Sequence, residues 1–358
     1  MMNCTMYAYS TSPHVSQLYT GFSLLAANGR IRLTQKLCNY SHKGKELIKN
    51  MKPENLNGLF VVLNDDKVLF YDTSDASELR SDALEVANAY FKRSYKSAAI
   101  SERHTSRVYP LGLNYELYTG NLNWKEVSRF LFRKSVLNNF PRELITRIAE
   151  LGSLSFLPTT YNICSPPLLN QEPRVLFMTR AWDPEDEPPG LSVEKKVERM
   201  QINEMRARCI ERLRKELGPN FYGGFAQTKY AIEHYKDLLL ESALIAGKRN
   251  YLSLLLQNPI CIATAGLHGS IGWKLAEYVA FSKSIVSERL ESVVPCGFEA
   301  HRNYLEFDTP DTCVRQTMKL IEDPQCRQQM MENNWQYYNE YLMPDKLVLR
   351  TLNIANES

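Results

Sequence analysis

Short apolar runs alternate with amphipathic helical stretches along both halves of this 358-residue chain, and this alternation constrains the fold more than any other feature. In the first half, residues 5–10 predict a strand that runs into a Ser/Thr/Pro loop. Residues 15–27 have helical spacing, and Asn28-Gly29 ends the helix because glycine accepts the left-handed backbone of helix ends. The first strand, its loop and the helix that ends at Asn28-Gly29 together predict a βα unit at the start of the first half.

The rest of the first half predicts a hairpin of strands 58–63 and 67–71, joined by an Asn-Asp-Asp turn. Further elements follow in order, namely a helix over 82–90, strands at 99–100 and 108–111, and mostly helical structure over 121–150. The second half repeats the alternation, with strands at 174–179, 260–265 and 284–287 and helices at 193–217, 273–281, 309–321 and 325–342.

The chain is longer than one hydrophobic core usually allows, so two domains are expected. Residues 157–173 are rich in Pro, Asn, Ser and Thr without periodicity, which is typical of a linker. Strands that alternate with helices favour parallel sheets. We therefore predict an α/β protein with two Rossmann-like doubly wound domains, residues 1–165 and 166–342.

The composition is that of an ordinary globular protein, with 44% hydrophobic and 23% charged residues and a net charge of +3. The small charge gives no reason to expect nucleic acid as a partner. Eight scattered cysteines form no CxxC pair or His/Cys cluster, so a structural metal is not expected and reduced thiols are favoured. With no signal peptide and no apolar run long enough to span a bilayer, we expect a cytoplasmic protein.

One segment has the residues of a phosphate site. A predicted strand ends near Ala265 and feeds a glycine-rich loop, and a helix starts near Trp273. Backbone N–H groups at such a helix start suit phosphate, Lys274 adds a cation, and Glu277 on the same helix can accept hydrogen bonds from ribose hydroxyls. The alternative is a glycine-rich turn whose Lys and Glu point into water.

The stretch 272–288, Gly-Trp-Lys-Leu-Ala-Glu followed by a small-residue turn and a strand, resembles the donor-binding segment of GT-B glycosyltransferases of group 1 type. Asn303-Tyr-Leu-Glu-Phe, Asp311-Thr-Cys-Val and Asp323-Pro are similar to the close of the same domain. The resemblance implies two domains facing a central cleft, with a tail, residues 343–358, that packs back on the N-terminal domain.

For function, the resemblance implies metal-independent transfer of a sugar, without a cofactor, from a nucleotide-diphosphate sugar. The acceptor would be a glycan, a lipid-linked molecule or another hydroxyl compound, and peripheral contact with a membrane is compatible with such work. Glu277 then becomes the ribose ligand, and Arg180, which ends a strand, a ligand of the donor diphosphate. The alternative for Arg180 is an ion pair with the acidic run at 183–187. The diphosphate would also face Lys274 and the loop residues His268, Gly269, Ser270 and Gly272.

The sequence departs from the family at one position. Many retaining members carry a second Glu eight residues before the ribose ligand, and here that position is Gly269. The stereochemical outcome is therefore open. Two other functions also stay open, a non-catalytic nucleotide- or glycan-binding protein on the same scaffold, and a nucleotide-sugar epimerase or glycan phosphorylase.

In the first domain, His14 lies in the loop between the first strand and the first helix. Some inverting GT-B enzymes place the general base for the acceptor hydroxyl there, and a neutral imidazole suits that task. Asp72 and Asp75 follow another strand and are candidates to orient or replace such a base. The alternatives are a helix-start His bonded to backbone and turn-forming Asp residues. Lys92 and Arg93 are expected at a helix end.

Overall fold

A computed structural model of the chain describes residues 1–8, 10, 12–36, 41–47, 49, 57–119, 158–160, 162–186 and 192–357. The chain divides into two compact units. Unit 1 comprises Met1–Ile163 together with Tyr341–Ser358, and unit 2 comprises Cys164–Glu340. The predicted helical stretch 121–150 lies outside the described residues.

Unit 1 is built on a six-stranded sheet of order β2-β1-β3-β4-β5-β6. Its elements up to the linker are β1 Met2–Tyr7, α1 Ser16–Ala27, β2 Ile31–Lys36, α2 His42–Leu47, β3 Gly58–Leu63, β4 Lys67–Asp72, α3 Ser81–Val86, β5 Ala89–Lys92 and β6 Val108–Pro110. Strand β3 is antiparallel to both β1 and β4, and the other pairs are parallel. The sheet is therefore mixed.

The predicted hairpin is confirmed as β3 and β4, whose register pairs Leu63 with Lys67. Asn64 and Asp65 between them have φ of 53° and 58°. Consecutive residues of positive φ match the twist of a tight hairpin, and Asn and Asp tolerate that conformation better than other side chains. The hairpin turns the chain back on itself, which explains why the sheet of unit 1 is not wholly parallel.

The helix expected over 82–90 is wrong in its second half. Helix α3 ends at Val86, and Ala89–Lys92 form the buried strand β5 between β4 and β6. Apolar residues here fit a helix locally, but pairing with strands distant in sequence decides the outcome. Lys92 and Arg93 consequently lie at the carboxyl end of a strand. The strand expected at 99–100 is also wrong, since Ser97–Ala99 form a 3-10 turn. Strand β2 was not predicted.

Unit 2 contains a wholly parallel sheet of order β11-β10-β9-β7-β8. Its elements are β7 Val175–Thr179, α4 Val193–Leu217, β8 Phe221–Phe225, α5 Lys229–His234, α6 Lys248–Gln257, β9 Ile260–Ala263, α7 Trp273–Ala280, β10 Ser284–Glu288, β11 Leu305–Phe307, α8 Pro310–Glu322 and α9 Pro324–Tyr337. A parallel bridge from Phe225 to Leu239 extends the edge beside β8. With it, the order in chain sequence becomes 3-2-1-4-5-6, the doubly wound order of nucleotide-binding folds.

The helix predicted at 193–217 is confirmed as α4, which ends where Gly218 takes a φ of 52°. Its inner face buries Cys209, Ile210 and Leu213 against the strands of the sheet. The expected α/β organisation with two Rossmann-like sheets is thus confirmed. Strand β8 was not predicted, because its two glycines obscure the apolar pattern.

Residues Pro344–Glu357 form helix α10, which belongs to unit 1. It lies so close to α1 that a Cβ at Gly21 would collide with the Pro344 carbonyl and the Val348 side chain. Tyr71 of β4 bonds Thr351 of this helix at 2.8 Å, in the core of the unit. The end of the chain is therefore an integral part of the first unit.

Candidate functional site

In unit 2 the strand order reverses between β7 and β9, the first and fourth strands of the order that includes Leu239. Open α/β sheets bind ligands beyond the carboxyl ends of the strands at this point, because the loops diverge there and leave a crevice. Residue Arg180 follows β7, and the loop starting at Thr264 follows β9. The candidate site is therefore built outward from these two strand ends.

Arg206 joins the two strand ends. It projects from α4, is 6% exposed, and donates hydrogen bonds to Arg180 O at 2.8 Å, Thr264 Oγ1 at 3.0 Å and Ala265 O at 2.9 Å. Burial lowers the pKa of its guanidinium to about 10, the neighbouring Glu288 opposes the shift, and Arg180 adds to it. Sequence reasoning missed Arg206, although it lies on the same face of α4 as the core residues of that helix.

Arg180 is exposed, and its guanidinium carbon lies 3.6 Å from the centroid of the Trp182 ring. A guanidinium stacked on an indole keeps its N–H donors in its own plane, parallel to the ring, where they can meet oxygens from the side. In the acidic run, Glu185 pairs with Lys196 at 2.6 Å and Asp183 accepts the Glu185 N–H at 2.9 Å. Arg180 thus stands at the end of β7 as a cation supported by an aromatic platform.

Lys274 lies in the first turn of α7, and its ammonium donates to the Met178 carbonyl of β7. Burial lowers the pKa of Lys274 to about 8. The nearby Glu277 opposes this shift, whereas Arg206 and two further cations add to it. The structure therefore brings Lys274, Arg180 and Arg206 together around the carboxyl end of β7.

The glycine-rich loop turns sharply, with φ of 62° at His268 and 63° at Gly269. Part of its backbone is already engaged within the protein. The His268 N–H donates to Glu198 Oε1 at 2.5 Å, and the Gly266 N–H donates to Ser270 O at 2.8 Å. The buried Ser270 holds its hydroxyl against Gly266. These atoms shape the loop and are not directed at a ligand.

The start of α7 is different. Its N-cap residue is Gly272, and no side chain caps the helix. The N–H groups of a first helical turn carry partial positive charge, which a side-chain acceptor or an anion normally offsets. The helix start, Lys274 and Arg180 together form a cationic rim at the switch point of the sheet.

Glu277 is 2% exposed, which excludes the interpretation in which it points into water. Its Oε1 atom forms an ion pair with Lys248 at the start of α6. Lys248 and Lys274 both approach the Tyr251 ring, at 5.7 and 5.2 Å from its centroid. Sequence reasoning found the carboxylate but missed its partner, which lies 29 residues earlier in the chain.

In unit 1, Arg93 contacts the imidazole of His14. Its Nη1 atom lies 3.3 Å from His14 Nδ1, and it also donates to Asp75 Oδ1 at 2.7 Å. Because arginine is only a donor, Nδ1 accepts and the ring proton lies on Nε2. Burial lowers the pKa of His14, Arg93 lowers it further, and Asp75 opposes the shift. The imidazole is therefore neutral at physiological pH.

Asp72 is buried at the end of β4. Its hydrogen bonds are to residues other than His14 in the described part of the chain. Its Oδ2 accepts from the Tyr90 hydroxyl and from Lys92 Nζ at 2.9 Å. Its Oδ1 accepts from the backbone and hydroxyl of Ser74, at 3.0 and 2.6 Å. Both carboxylate oxygens are thus held in a buried network, while the side chain of Asp75 is 43% exposed.

Within the described ranges, no group of three or more His, Cys, Asp or Glu side chains is arranged to hold a metal ion. No helix in the described part of the chain is both long enough and apolar enough to cross a bilayer.

No protein-family profile matches the chain, and no curated protein matches it in sequence. Among solved structures, it is similar to the Anabaena protein Alr3699/HepE in complex with UDP, at 10% identity and a TM-score of 0.38, over 94% of this chain and 89% of that one. It is also similar to the C-terminal domain of the Francisella tularensis group 1 glycosyl transferase LpcC, at 13% identity and a TM-score of 0.32, over 47% and 86%. TarM matches at 15% identity and a TM-score of 0.34, over 54% of this chain and 37% of TarM. At these values the matched proteins assign no donor, acceptor or reaction to this chain.

Proposed function

We propose that this chain is a glycosyltransferase that binds a nucleotide-diphosphate sugar in unit 2 and transfers the sugar to a hydroxyl acceptor. One observation carries the proposal. Arg180, Arg206, Lys274 and the uncapped start of α7 converge on the carboxyl ends of β7 and β9, where the strand order reverses. The diphosphate group of a nucleotide fits that combination of charge and position.

Arg206 is buried and Arg180 is exposed, and this difference suggests different roles. Arg206 is fixed to the backbone of both strand ends, so it sets the geometry and the local positive potential. Arg180 is exposed and offers its guanidinium to phosphate oxygens. Negative charge grows on the departing diphosphate during transfer, so cations and helix N–H groups already in place lower the barrier.

Glu277 is the proposed ribose ligand. An ionised carboxylate has two oxygens and about four acceptor positions, so the ion pair of Oε1 with Lys248 leaves capacity for a ribose hydroxyl. Lys248 would hold the carboxylate in a fixed orientation. We propose that Gly272 lies beside the diphosphate, which meets the first backbone N–H groups of α7, and that His268, Gly269 and Ser270 shape the loop next to it.

For the acceptor, we propose that the hydroxyl of a glycan or lipid-linked molecule meets His14 in unit 1, with Asp72 supporting the site through the Lys92 network. A base needs a ring nitrogen without a proton, which in His14 is Nδ1, the atom that Arg93 contacts. Proton transfer to Nδ1 therefore requires Arg93 to release it. The exposed Asp75, held by the same arginine, is the alternative base.

Both carboxylate oxygens of Asp72 and the Nδ1 atom of His14 already have hydrogen-bond partners within the protein. This favours a second candidate function, a nucleotide-binding protein without transferase activity. A thermal-shift screen with nucleoside diphosphates and their sugars, with and without Mg²⁺, tests both. A ligand that binds only the folded state raises the melting temperature. A selective shift by one nucleotide, with release of nucleoside diphosphate from its sugar conjugate, supports the transferase. A shift without turnover supports the second candidate, and no shift contradicts both.

A further inference from the structure

Helix α4 carries three buried polar side chains on its inner face. Arg199, Asn203 and Arg206 follow one another at helical spacing and are 5%, 0% and 6% exposed. Each of them bonds the backbone of the loop that follows β7, and such bonds offset the cost of burying a polar group. Arg206 holds the Arg180 carbonyl at 2.8 Å, and Arg199 holds that of Asp183 at 2.7 Å. The loop is therefore fixed to α4 at several points.

Asn203 contacts the middle of this loop through both atoms of its amide. Its Oδ1 accepts the Trp182 N–H at 2.8 Å, and its Nδ2 donates to Trp182 O at 2.6 Å. Both backbone groups of Trp182 are thereby satisfied, as they would be by a neighbouring strand. The indole N–H of Trp182 is buried and has no hydrogen-bond partner among the residues that the structure describes. The place of the ring therefore depends on its backbone and on packing.

Trp182 in turn restricts Arg180. The guanidinium carbon lies 3.6 Å from the centroid of the Trp182 ring, which is direct stacking. The backbone of residue 180 is held by Arg206, whereas its side chain is exposed. A long side chain loses conformational entropy when it binds a ligand, and a ring that already restricts the side chain reduces this loss.

Resting on the proposed function, we propose that Asn203 is a positioning residue for the diphosphate. It fixes the backbone of Trp182, and the Trp182 ring holds the Arg180 guanidinium in the orientation that meets phosphate oxygens. Asn203 is 0% exposed, so it acts on the ligand only through these two residues. Its substitution should therefore affect binding only while Arg180 is present.

The test is a double-mutant cycle on the whole chain, measured by isothermal titration of UDP, GDP, ADP and dTDP. Asn203→Ala should weaken the affinity for the nucleoside diphosphate that binds by about 3- to 10-fold. In the Arg180→Ala background, the same substitution should change that affinity by less than about twofold. Trp182→Leu removes the ring and keeps the backbone that Asn203 bonds. It should give the same pattern, and it replaces Asn203→Ala if that variant does not fold.

Asn334→Ala is the matched control. Asn334 is also 0% exposed, and its Nδ2 donates to Lys283 O at 2.8 Å and Asn303 O at 2.9 Å. These residues precede β10 and β11, at the opposite edge of the parallel sheet. The control should lower the urea midpoint of unfolding and leave the affinity unchanged. Tyr230→Phe, which removes a hydroxyl near the Asn203 amide, should also leave the affinity unchanged.

Two outcomes overturn this inference while nucleotide binding stands. One is an equal fold-change on Asn203→Ala with and without Arg180, which is the result of a purely structural role. The other is an unchanged affinity in the wild-type background. Failure of all four nucleoside diphosphates to bind overturns the proposed function, and this inference with it.

Discussion

Lys248 and Glu277 form an ion pair in which the lysine side chain is 26% exposed and the glutamate side chain only 3%. The pair joins the start of α6 to the middle of α7, so it couples the two helices that precede and follow β9 in the chain. A cationic partner offsets the loss of hydration that a carboxylate suffers when it is buried at this depth. The residue proposed to bind ribose thus depends on a lysine that no local sequence pattern identifies.

Removing Lys248 should destabilise the protein because it leaves a buried charge without its cation. We expect Lys248→Met to lower the free energy of unfolding by about 3 kcal/mol, the usual cost of breaking a buried pair from one side. In urea denaturation, the double variant Lys248→Met/Glu277→Gln should recover at least half of that loss. Strict additivity of the two single variants would show that the pair is not coupled.

Variants at Arg206 and Arg180 should separate effects on stability from effects on ligand binding. Arg206→Met removes a buried guanidinium that donates three hydrogen bonds to the two strand ends, so we expect a loss of about 3 kcal/mol in the free energy of unfolding. Arg180→Ala removes an exposed side chain that stacks on Trp182, and it should change stability by less than about 1 kcal/mol. Chemical denaturation measures both, and a large destabilisation by Arg180→Ala would contradict the assignment of that residue to ligand binding alone.

Lys274 predicts a pH dependence. Its pKa is about 8 in the folded protein against 10.5 in the unfolded chain, so the unfolded state binds more protons between these values. The contribution of Lys274 to stability is therefore complete above pH 10.5 and is lost as the pH falls to about 8. The affinity for a nucleoside diphosphate should change in the opposite sense, falling as the pH rises through about 8, because the ammonium loses its charge.

The control for that titration is Lys274→Met, which should bind more weakly and lose the pH dependence of affinity in this window. A wild-type affinity that is constant from pH 7 to 9.5 would show that Lys274 does not face the phosphates, since its pKa is about 8.

His14 should be a neutral imidazole with its proton on Nε2, because Arg93 donates to Nδ1. Nitrogen NMR of the labelled protein reads the tautomer directly, and it should also give a pKa below the ordinary 6.5. Arg93→Met should raise that pKa, since it removes a neighbouring positive charge. A proton on Nδ1 in the wild-type protein would exclude the contact with Arg93 as a hydrogen bond.

Turnover tests the role of His14 separately. His14→Gln should lower the release of nucleoside diphosphate from its sugar conjugate by about 100-fold or more, a typical contribution of a general base. Donor affinity should stay unchanged, because the donor is proposed to bind unit 2. Full activity of this variant, combined with inactivity of Asp75→Asn, would assign the base to Asp75.

The local pattern predicted elements well where periodicity and end signals agreed, as in the hairpin 58–63/67–71 and in α4. It failed at β5, because helical spacing over 82–90 is local while strand pairing with β4 and β6 is not. Arg180 was found because it ends a predicted strand, and Lys274 because it follows a glycine-rich loop at a predicted helix start.

Arg206 and Lys248 were missed, since each reaches the site from a segment distant in sequence. Only Arg206 had a signal, as it shares a helical face with Ile210 and Leu213. A charged residue on an apolar helix face is worth examining as a buried anchor, because burying a charge is costly unless it is bonded.

The most direct test of the central claim is calorimetric titration of nucleoside diphosphates into the wild-type protein, Arg180→Ala and the control Arg208→Ala. Arg208 is an exposed arginine of α4, 64% accessible and paired with Glu204. We expect one nucleoside diphosphate to bind the wild-type and Arg208→Ala proteins with equal affinity. Arg180→Ala should weaken this affinity by about 10- to 100-fold, which corresponds to the free energy of the charge-assisted hydrogen bonds that are lost. Equal binding to all three proteins, or binding to none of them, would contradict a diphosphate site at the carboxyl ends of β7 and β9.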